Sequence, residues 1–274
     1  MPLAGNSARR VGCGGVSGKS TESAARHAWL VFRSLFFWTV TWIHFLVICP
    51  FLTALGAAID PRKNDWPQRA FSRNIIRLAG AKFEVRRSPG FDPTRTSIFI
   101  CNHVNVFDPF VIYSAIPQFV RGFELESHFK IPVYGWLMSR FGNVPVPDKP
   151  SREGLQIMSD RARAALDSGI SLIAFAEGSR TRTGHVQPFK KGIFSIAQKA
   201  GVPIVPMSIV GSYEVFRTGH WMLRPGKITV YLHDTIDTAQ FARSDVDALR
   251  QRVQEIVSAP VEDFVLAHAA NHPR

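Results

Sequence analysis

The chain has 274 residues, of which 46% are hydrophobic and 20% are charged, and its formal net charge is +12. This length fits one α/β domain with an appendage, and the composition excludes an intrinsically disordered protein. The basic balance favours anionic partners such as anionic lipids or phosphorylated substrates. The three cysteines, Cys13, Cys49 and Cys101, form no CxxC pair, so neither a metal site nor a disulfide framework is expected.

Two N-terminal segments are predicted ahead of the folded domain. Residues 1–23 are rich in Gly, Ser and Arg and predict a flexible basic tail. Residues 24–60 contain an uncharged apolar run, from Ser34 to Ile59, that is long enough to cross a bilayer. Pro50 and Gly56 interrupt this run, which would suit a membrane-associated helical hairpin. The other interpretation is a single membrane-spanning helix followed by a cytoplasmic C-terminal domain. A buried core helix is the remaining alternative.

The rest of the chain, residues 61–274, alternates predicted strands and helices. Helices are predicted at 66–78, 134–141, 151–169, 193–200 and 245–266, and strands at 82–87, 97–101, 143–146, 171–176, 204–210 and 227–232. This alternation predicts an α/β domain in layers, with a mixed, largely parallel sheet.

The first candidate site, residues 101–109, directly follows the buried strand at 97–101. Open α/β sheets place their reactive groups at the carboxyl ends of strands. His103 titrates near neutral pH and can take a proton from a hydroxyl group. Asp108, five residues on, can turn back to hold the second imidazole nitrogen. The alternative is a histidine satisfied within a loop and an aspartate that caps the next helix.

The second candidate site, residues 175–184, also follows an apolar strand. It contains two arginines, three hydroxyl side chains and glycines. Arginine binds phosphate through two hydrogen bonds, and glycine lets backbone amides approach an anion. Lys191, farther along the chain, either adds to this anion site or faces the solvent. A solvated polar loop is the alternative to a functional site.

In order and spacing, these stretches resemble the glycerolipid acyltransferases that make phosphatidic acid. The family's first motif is NH followed by four residues and D, its third is a Phe-Pro-Glu-Gly-Thr-Arg turn, and its fourth is a Val-Pro-Ile-Val-Pro strand. A Lys-x-Pro-x-x-Gly-Trp segment lies between the first and third motifs. The matching residues are Asn102, His103, Asp108, Lys130, Pro132, Gly135, Trp136, Phe175, Glu177, Gly178, Ser179, Arg180 and Val202–Pro206.

The sequence departs from the family pattern in two motifs. In the third, Ala176 and Ser179 replace the usual proline and threonine. In the second, a glycine and apolar residues normally lead to an arginine that helps to hold the glycerol phosphate. Here the corresponding run leads from Gly142 to Lys149, with Arg152 three residues later. Either of these two basic residues is therefore a candidate for the acceptor's phosphate.

The resemblance implies that His103 deprotonates the acceptor hydroxyl, which attacks a thioester carbonyl directly, while Asp108 orients His103. The acyl donor is then acyl-CoA or acyl-ACP, the acceptor is 1-acyl-sn-glycerol 3-phosphate, and no cofactor is required. Glycerol 3-phosphate and a lyso-aminolipid are alternative acceptors. The residues expected to bind substrate are Glu177, Gly178, Ser179, Arg180, Lys149, Arg152 and Lys191.

The expected location is the inner cell membrane, with the active domain on the cytoplasmic face. A lipid membrane and a lysophospholipid are the expected partners. Nucleic acid is not, because the positive charge is spread along the chain and no binding motif is present. A basic membrane-binding protein without catalysis is the alternative from another functional class.

Overall fold

The computed structural model describes residues 17–63, 65–149, 151–242 and 244–271. The helices are α1 (Ser17–Ala58), α2 (Trp66–Leu78), α3 (Asp108–Ala115), α4 (Tyr134–Arg140), α5 (Arg152–Asp167), α6 (Gly192–Ala200), α7 (Ser212–Val215) and α8 (Val246–Asn271). The strands are β1 (Ala81–Arg87), β2 (Ile98–Cys101), β3 (Val120–Leu125), β4 (Val144–Val146), β5 (Ser171–Phe175), β6 (Ile204–Val210) and β7 (Gly226–Leu232). Short 3-10 helices follow β3 at Glu126–Lys130 and β7 at Thr238–Gln240.

The strands form one mixed sheet in the order β1-β7-β6-β2-β5-β3-β4. Every neighbouring pair is parallel except β6 and β7, which are antiparallel. Helices α2 and α3 pack on one face of the sheet, and α5, α6 and α8 pack on the other. The predicted layered domain with a mixed, largely parallel sheet is therefore confirmed.

Strand β2 lies in the middle of this sheet and is buried on both faces. Its four residues form a continuous apolar run, and all of them are fully buried. Because side chains alternate along a strand, Ile98 and Ile100 enter one apolar cluster while Phe99 and Cys101 enter the other. The residues that follow Cys101 therefore start from a rigid, central position at the carboxyl edge of the sheet.

The N-terminal helix begins closer to the N-terminus than the sequence predicts. Helix α1 begins at Ser17, so the prediction of a flexible tail is wrong for residues 17–23. No glycine or proline interrupts the chain between Lys19 and Cys49, which lets the helix extend toward the N-terminus. The remainder of the predicted tail, residues 1–16, lies outside the described residues.

Helix α1 continues through the apolar run without reversing, so the structure has one helix in place of a helical hairpin. Pro50 lies inside the helix, where a proline removes one backbone hydrogen bond. Cys49 and Leu52, close to it on the same helix, are buried against the rest of the protein. This packing holds the helix together across the proline.

One side of α1 packs lengthwise on the domain. Phe37, Cys49 and Leu52 join an apolar cluster with residues of α2, α4 and the segment that follows α7. The Arg33 guanidinium donates a hydrogen bond to the carbonyl of Ala79, at the end of α2. Among the described residues, α1 is the one helix long and apolar enough to cross a membrane, judged by length and composition alone. Its other side exposes Trp29, Phe32, Leu35, Phe36, Trp42, Ile43, Leu46, Val47 and Phe51.

This packing makes different predictions for two adjacent phenylalanines of α1. Phe37 is 1% exposed and stacks on Phe107 at a ring-centroid distance of 5.5 Å, whereas Phe36 is 55% exposed. Phe37→Ala should lower the free energy of unfolding by about 3–5 kcal/mol, because it leaves a cavity. Phe36→Ala should change it by at most about 0.5 kcal/mol. Unfolding of both variants in one detergent checks this, and equal losses would contradict the packing of α1 on the domain.

Candidate active site

His103 and Asp108 are in direct contact beyond the carboxyl end of β2. The Nδ1 atom of His103 lies 2.7 Å from the Oδ2 atom of Asp108. Since Nδ1–H donates to this carboxylate, the Nε2 atom of the neutral ring keeps a lone pair and can accept a proton. The His103 side chain is 22% exposed, and that of Asp108 is completely buried. The two residues of the predicted pair are therefore in contact, with the His103 side chain partly exposed and the Asp108 side chain buried.

The Asp108 carboxylate is held by its own loop. The backbone N–H groups of Val104 and Asn105 donate to the same Oδ2 atom, at 2.6 and 3.1 Å. Burial raises the pKa of the Asp108 carboxyl group, and the hydrogen bonds from His103, Val104 and Asn105 oppose that rise. Asp108 is also the first residue of α3, where the helix dipole favours a negative charge.

Strand β5, the parallel neighbour of β2, fixes the plane of the His103 ring. Its last residue, Phe175, stacks on that ring with centroids 3.9 Å apart and planes 17° from parallel. The backbone N–H of Thr181 donates to the His103 carbonyl at 2.8 Å. The imidazole is therefore fixed by a hydrogen bond on one nitrogen, by a stacked ring on one face and by a hydrogen bond to its own backbone carbonyl.

Glu177 ties the two candidate segments together. It is 3% exposed, and its two oxygens accept hydrogen bonds from the N–H groups of His103 (2.8 Å) and Gln187 (3.1 Å). Burial raises the pKa of the Glu177 carboxyl group to about 7, while the hydrogen bonds from these two amides lower it. With both oxygens bonded to backbone N–H groups, Glu177 organises the turn.

The turn that follows Glu177 presents backbone and cationic groups to solvent. Gly178 has φ +73°, a backbone conformation that L side chains rarely adopt, and the Lys190 ammonium group lies close to it. The backbone conformation of the turn therefore favours glycine here. The Ser179 hydroxyl bonds the Gln187 amide at 3.3 Å, and Arg180 is exposed. Gly178, Ser179 and Arg180 thus lie between Glu177 and Thr181, both of which form hydrogen bonds with the backbone of His103.

Lys191 is not brought to this turn. Its ammonium group forms an ion pair with Asp247 of α8 at 2.6 Å. The preceding residue, Lys190, leans over Gly178 instead. Adjacent side chains at the start of α6 point in different directions, and the sequence does not reveal which of them faces the turn. The structure therefore replaces Lys191 with Lys190 as the lysine of the candidate anion site.

Lys149 and Arg152 are exposed and lie near the β4 edge of the sheet. They follow β4, the edge strand, and β5 and β3 lie between β4 and β2. Three strand spacings correspond to about 14 Å. The structure does not bring either residue into contact with the His103 loop.

Two asparagines that the sequence does not identify as structural residues fix the loop at 102–108. The Asn102 amide donates to the Ile209 carbonyl (2.9 Å) and accepts from the Ile209 N–H (2.8 Å), which extends the pairing of β2 with β6. The Asn105 amide donates to the carbonyls of Ser212 (3.0 Å) and Phe216 (2.7 Å). The sequence gives little indication of this structural role, because the hydrogen-bond partners of both side-chain amides lie on segments that are distant in the sequence.

The segments in contact with this loop carry an excess of positive charge. Among the cationic side chains on them, Arg180, Arg182, Lys190 and Arg217 form no ion pair within the described parts of the chain. Because no carboxylate neutralises them, the surroundings of His103 favour an anionic ligand.

Comparisons with known proteins agree with this geometry. The acyltransferase family profile matches residues 82–210. The chain is 29% identical over 174 residues to 1-acyl-sn-glycerol-3-phosphate acyltransferase of Cocos nucifera, covering 64% of this chain and 54% of that protein. It is 26% identical over 225 residues to the Haemophilus influenzae protein of the same name, covering 77% and 92%.

A solved structure has the same fold. The chain is similar to the crystal structure of the 1-acyl-sn-glycerophosphate acyltransferase PlsC from Thermotoga maritima, with a TM-score of 0.75 and 25% sequence identity. The match covers 87% of this chain and 97% of that one. By contrast, the chain spans only 54% of the length of the Cocos nucifera relative, 40% of a Brassica napus relative and 48% of a Chlamydomonas reinhardtii relative.

The raised pKa of Glu177 predicts a pH-dependent stability. The carboxyl group titrates near pH 7 in the folded protein, against an ordinary value of 4.5, so the folded state holds its proton more tightly. The contribution of Glu177 to stability is then fully present below pH 4.5, and up to about 3 kcal/mol of it is lost as pH rises through 7. Glu177→Gln has no proton to lose and should lack this contribution. Denaturation of both proteins from pH 4.5 to 8 measures the difference, and a constant difference would contradict the assignment.

Proposed function

We propose that this chain, which is similar to 1-acyl-sn-glycerol-3-phosphate acyltransferases, transfers a fatty acyl group from a thioester to the free hydroxyl of 1-acyl-sn-glycerol 3-phosphate, giving phosphatidic acid. The observation that carries the proposal is the 2.7 Å contact between His103 and the buried Asp108. It combines a general base with an orienting carboxylate at the edge of the sheet.

In the proposed reaction, His103 Nε2 takes the proton of the acceptor hydroxyl while its oxygen attacks the thioester carbonyl. A C–O bond forms and the carbonyl becomes tetrahedral. When the carbonyl re-forms, the C–S bond breaks, and the departing thiolate recovers the proton from Nε2. Asp108 stabilises the imidazolium that exists between these steps. No acyl-enzyme intermediate and no cofactor are required.

The acceptor's phosphate is assigned to the turn at 178–180. Arg180 is exposed there and offers a planar fork of donors that suits a phosphate. The Lys190 ammonium group, close to Gly178, adds a second positive charge. The turn is tied to His103 through Glu177, so a phosphate bound there is held in a fixed relation to the general base.

Membrane association is assigned to the exposed side of α1. Nine large apolar side chains on this side face away from the domain, and they match the hydrocarbon region of a lipid layer. The acceptor is an amphiphile that resides in such a layer, whereas the thioester donor, acyl-CoA or acyl-ACP, arrives from the aqueous phase. We place the active domain on the cytoplasmic face of the inner membrane, where both donors are available.

The proposal is tested with the purified full chain in lipid vesicles. Acyl-CoA and acyl-ACP are each supplied with 1-acyl-sn-glycerol 3-phosphate, glycerol 3-phosphate and a lyso-aminolipid, and the products are identified by mass. Formation of phosphatidic acid at the highest kcat/KM supports it. A preference for another acceptor would support acyl transfer but reject 1-acyl-sn-glycerol 3-phosphate as the substrate. If no donor and acceptor pair gives a product, the proposed function is wrong.

Removing the base should abolish this activity. His103→Ala should lower kcat by about 10²–10⁴-fold. Asp108→Asn should cost nearly as much, because it no longer holds the correct tautomer. His128→Ala serves as the control, since His128 lies on the 3-10 helix after β3 and pairs with Glu124. Single-turnover rates in vesicles give the comparison, and rates within about tenfold of the wild type in both variants would rule out the assignment.

Arg180→Ala should raise KM for the phosphorylated acceptor by about tenfold or more and leave KM for the donor nearly unchanged, because the lost contact is to the acceptor's anion. Lys149→Ala and Arg152→Ala, which remove single charges beyond β4, are the matched controls. A change confined to the donor's KM would move Arg180 to the carrier's site. An acceptor effect in Lys149→Ala or Arg152→Ala would identify that residue as a phosphate ligand.

A further inference from the structure

The segment at 216–225, which we call the bridging loop, connects α7 to β7 and lies between α1 and the His103 loop. It has no regular secondary structure of its own. Its backbone groups must therefore find partners elsewhere, and several of those partners are side chains of the two segments on either side.

On the α1 side, the partners are the polar groups of two side chains of the helix, Ser34 and Trp38. The Ser34 hydroxyl accepts a hydrogen bond from the Leu223 N–H at 2.9 Å and donates to the Leu30 carbonyl at 2.6 Å. The Trp38 Nε1–H donates to the Trp221 carbonyl at 2.7 Å. Ser34 and Leu223 are fully buried, so water cannot replace the hydrogen bond between them.

On the opposite side, the bridging loop holds the residues that follow His103. The Thr218 hydroxyl donates to the Val104 carbonyl at 2.7 Å. The N–H of the same Val104 donates to Asp108 Oδ2 at 2.6 Å. One peptide segment is thus held by the orienting carboxylate at one end and by the bridging loop at the other.

Aromatic contacts follow the same route. Phe37 of α1 stacks on Phe107, which directly precedes Asp108, with centroids 5.5 Å apart. Trp38 meets Phe216 of the bridging loop edge-on at 5.6 Å, and Phe107 and Phe216 are themselves 5.6 Å apart. Helix α1 therefore contacts the catalytic loop both directly and through the bridging loop.

We propose that Ser34 and Thr218 are positioning residues, and that α1 sets the geometry of the His103–Asp108 pair through the bridging loop. This proposal rests on the proposed acyl transfer. The contacts lie on the buried side of α1, away from the side assigned to lipid, so positioning and membrane attachment are separable. Thr218 and Ser34 touch no reacting atom. They act on the rate by fixing Val104 and hence the relation of Asp108 to His103.

The test uses Ser34→Ala, Thr218→Val and the double variant in the full chain. A displacement of about 1 Å in a catalytic group costs about 10²-fold, so each single variant should lower kcat about 10- to 100-fold. KM for both substrates and binding to vesicles should stay within about twofold. The double variant should be no slower than the slower single variant, because both changes break one relay.

Two further variants separate positioning from a general loss of stability. Thr218→Ser keeps the hydroxyl and should restore kcat to nearly the wild-type value. Thr53→Ala removes a hydroxyl that bonds only within α1, to the Cys49 carbonyl, and should leave kcat unchanged. If Ser34→Ala does not fold, the kcat of Thr218→Val compared with that of Thr218→Ser tests the positioning role.

The outcomes are distinct. Wild-type kcat in both single variants, or a double variant whose loss is the product of the two single losses, would overturn the relay while leaving acyl transfer intact. A loss in Thr218→Val that Thr218→Ser does not restore would also overturn it. A wild-type chain that transfers no acyl group would instead overturn the proposed function itself.

Discussion

Burying the Asp108 carboxylate away from water costs free energy unless hydrogen bonds compensate for its charge. The compensation is local, because the loop turns back so that two backbone N–H groups and the His103 ring all point to one oxygen. The start of α3 adds a favourable dipole. Since the same carboxylate orients His103, the conformation of the loop and the reactivity of the imidazole depend on a single buried group. The side chains of Asn105 and Thr218 hold that loop against the rest of the domain.

The central part of the fold is predictable because its strands are apolar on both faces. The predicted strands at 97–101 and 171–176 correspond to β2 and β5 almost residue for residue. Helix α3 escapes prediction because it is short and opens with Asp-Pro, which also suits a loop. Strand β3 escapes prediction because its second residue is the charged Arg121. Only the folded protein makes that buried arginine acceptable, through the carbonyls of Val120 and Phe141 and a ring face 3.5 Å away.

The site is predictable to the extent that its residues are close in sequence. His103 and Asp108 are five residues apart, and the motif that contains them also specifies their contact. The choice between Lys190 and Lys191 depends on the direction of one side chain at the start of α6, which spacing does not encode. Lys149 and Arg152 follow the edge strand, and a linear motif gives no measure of that separation across the sheet.

The hydrogen bond between Ser34 and Leu223 joins residues 189 positions apart, which has a consequence for synthesis in the cell. At the usual pace of translation, Leu223 leaves the ribosome about 10 to 40 s after Ser34. Helix α1 is therefore among the first segments to be synthesised. The Ser34 hydroxyl can bond the Leu223 N–H only after most of the chain has been produced. During that interval its apolar surface needs a lipid layer or a chaperone. The rest of the domain then packs on a helix that is already formed. The contacts between this helix and the bridging loop are therefore among the last to form.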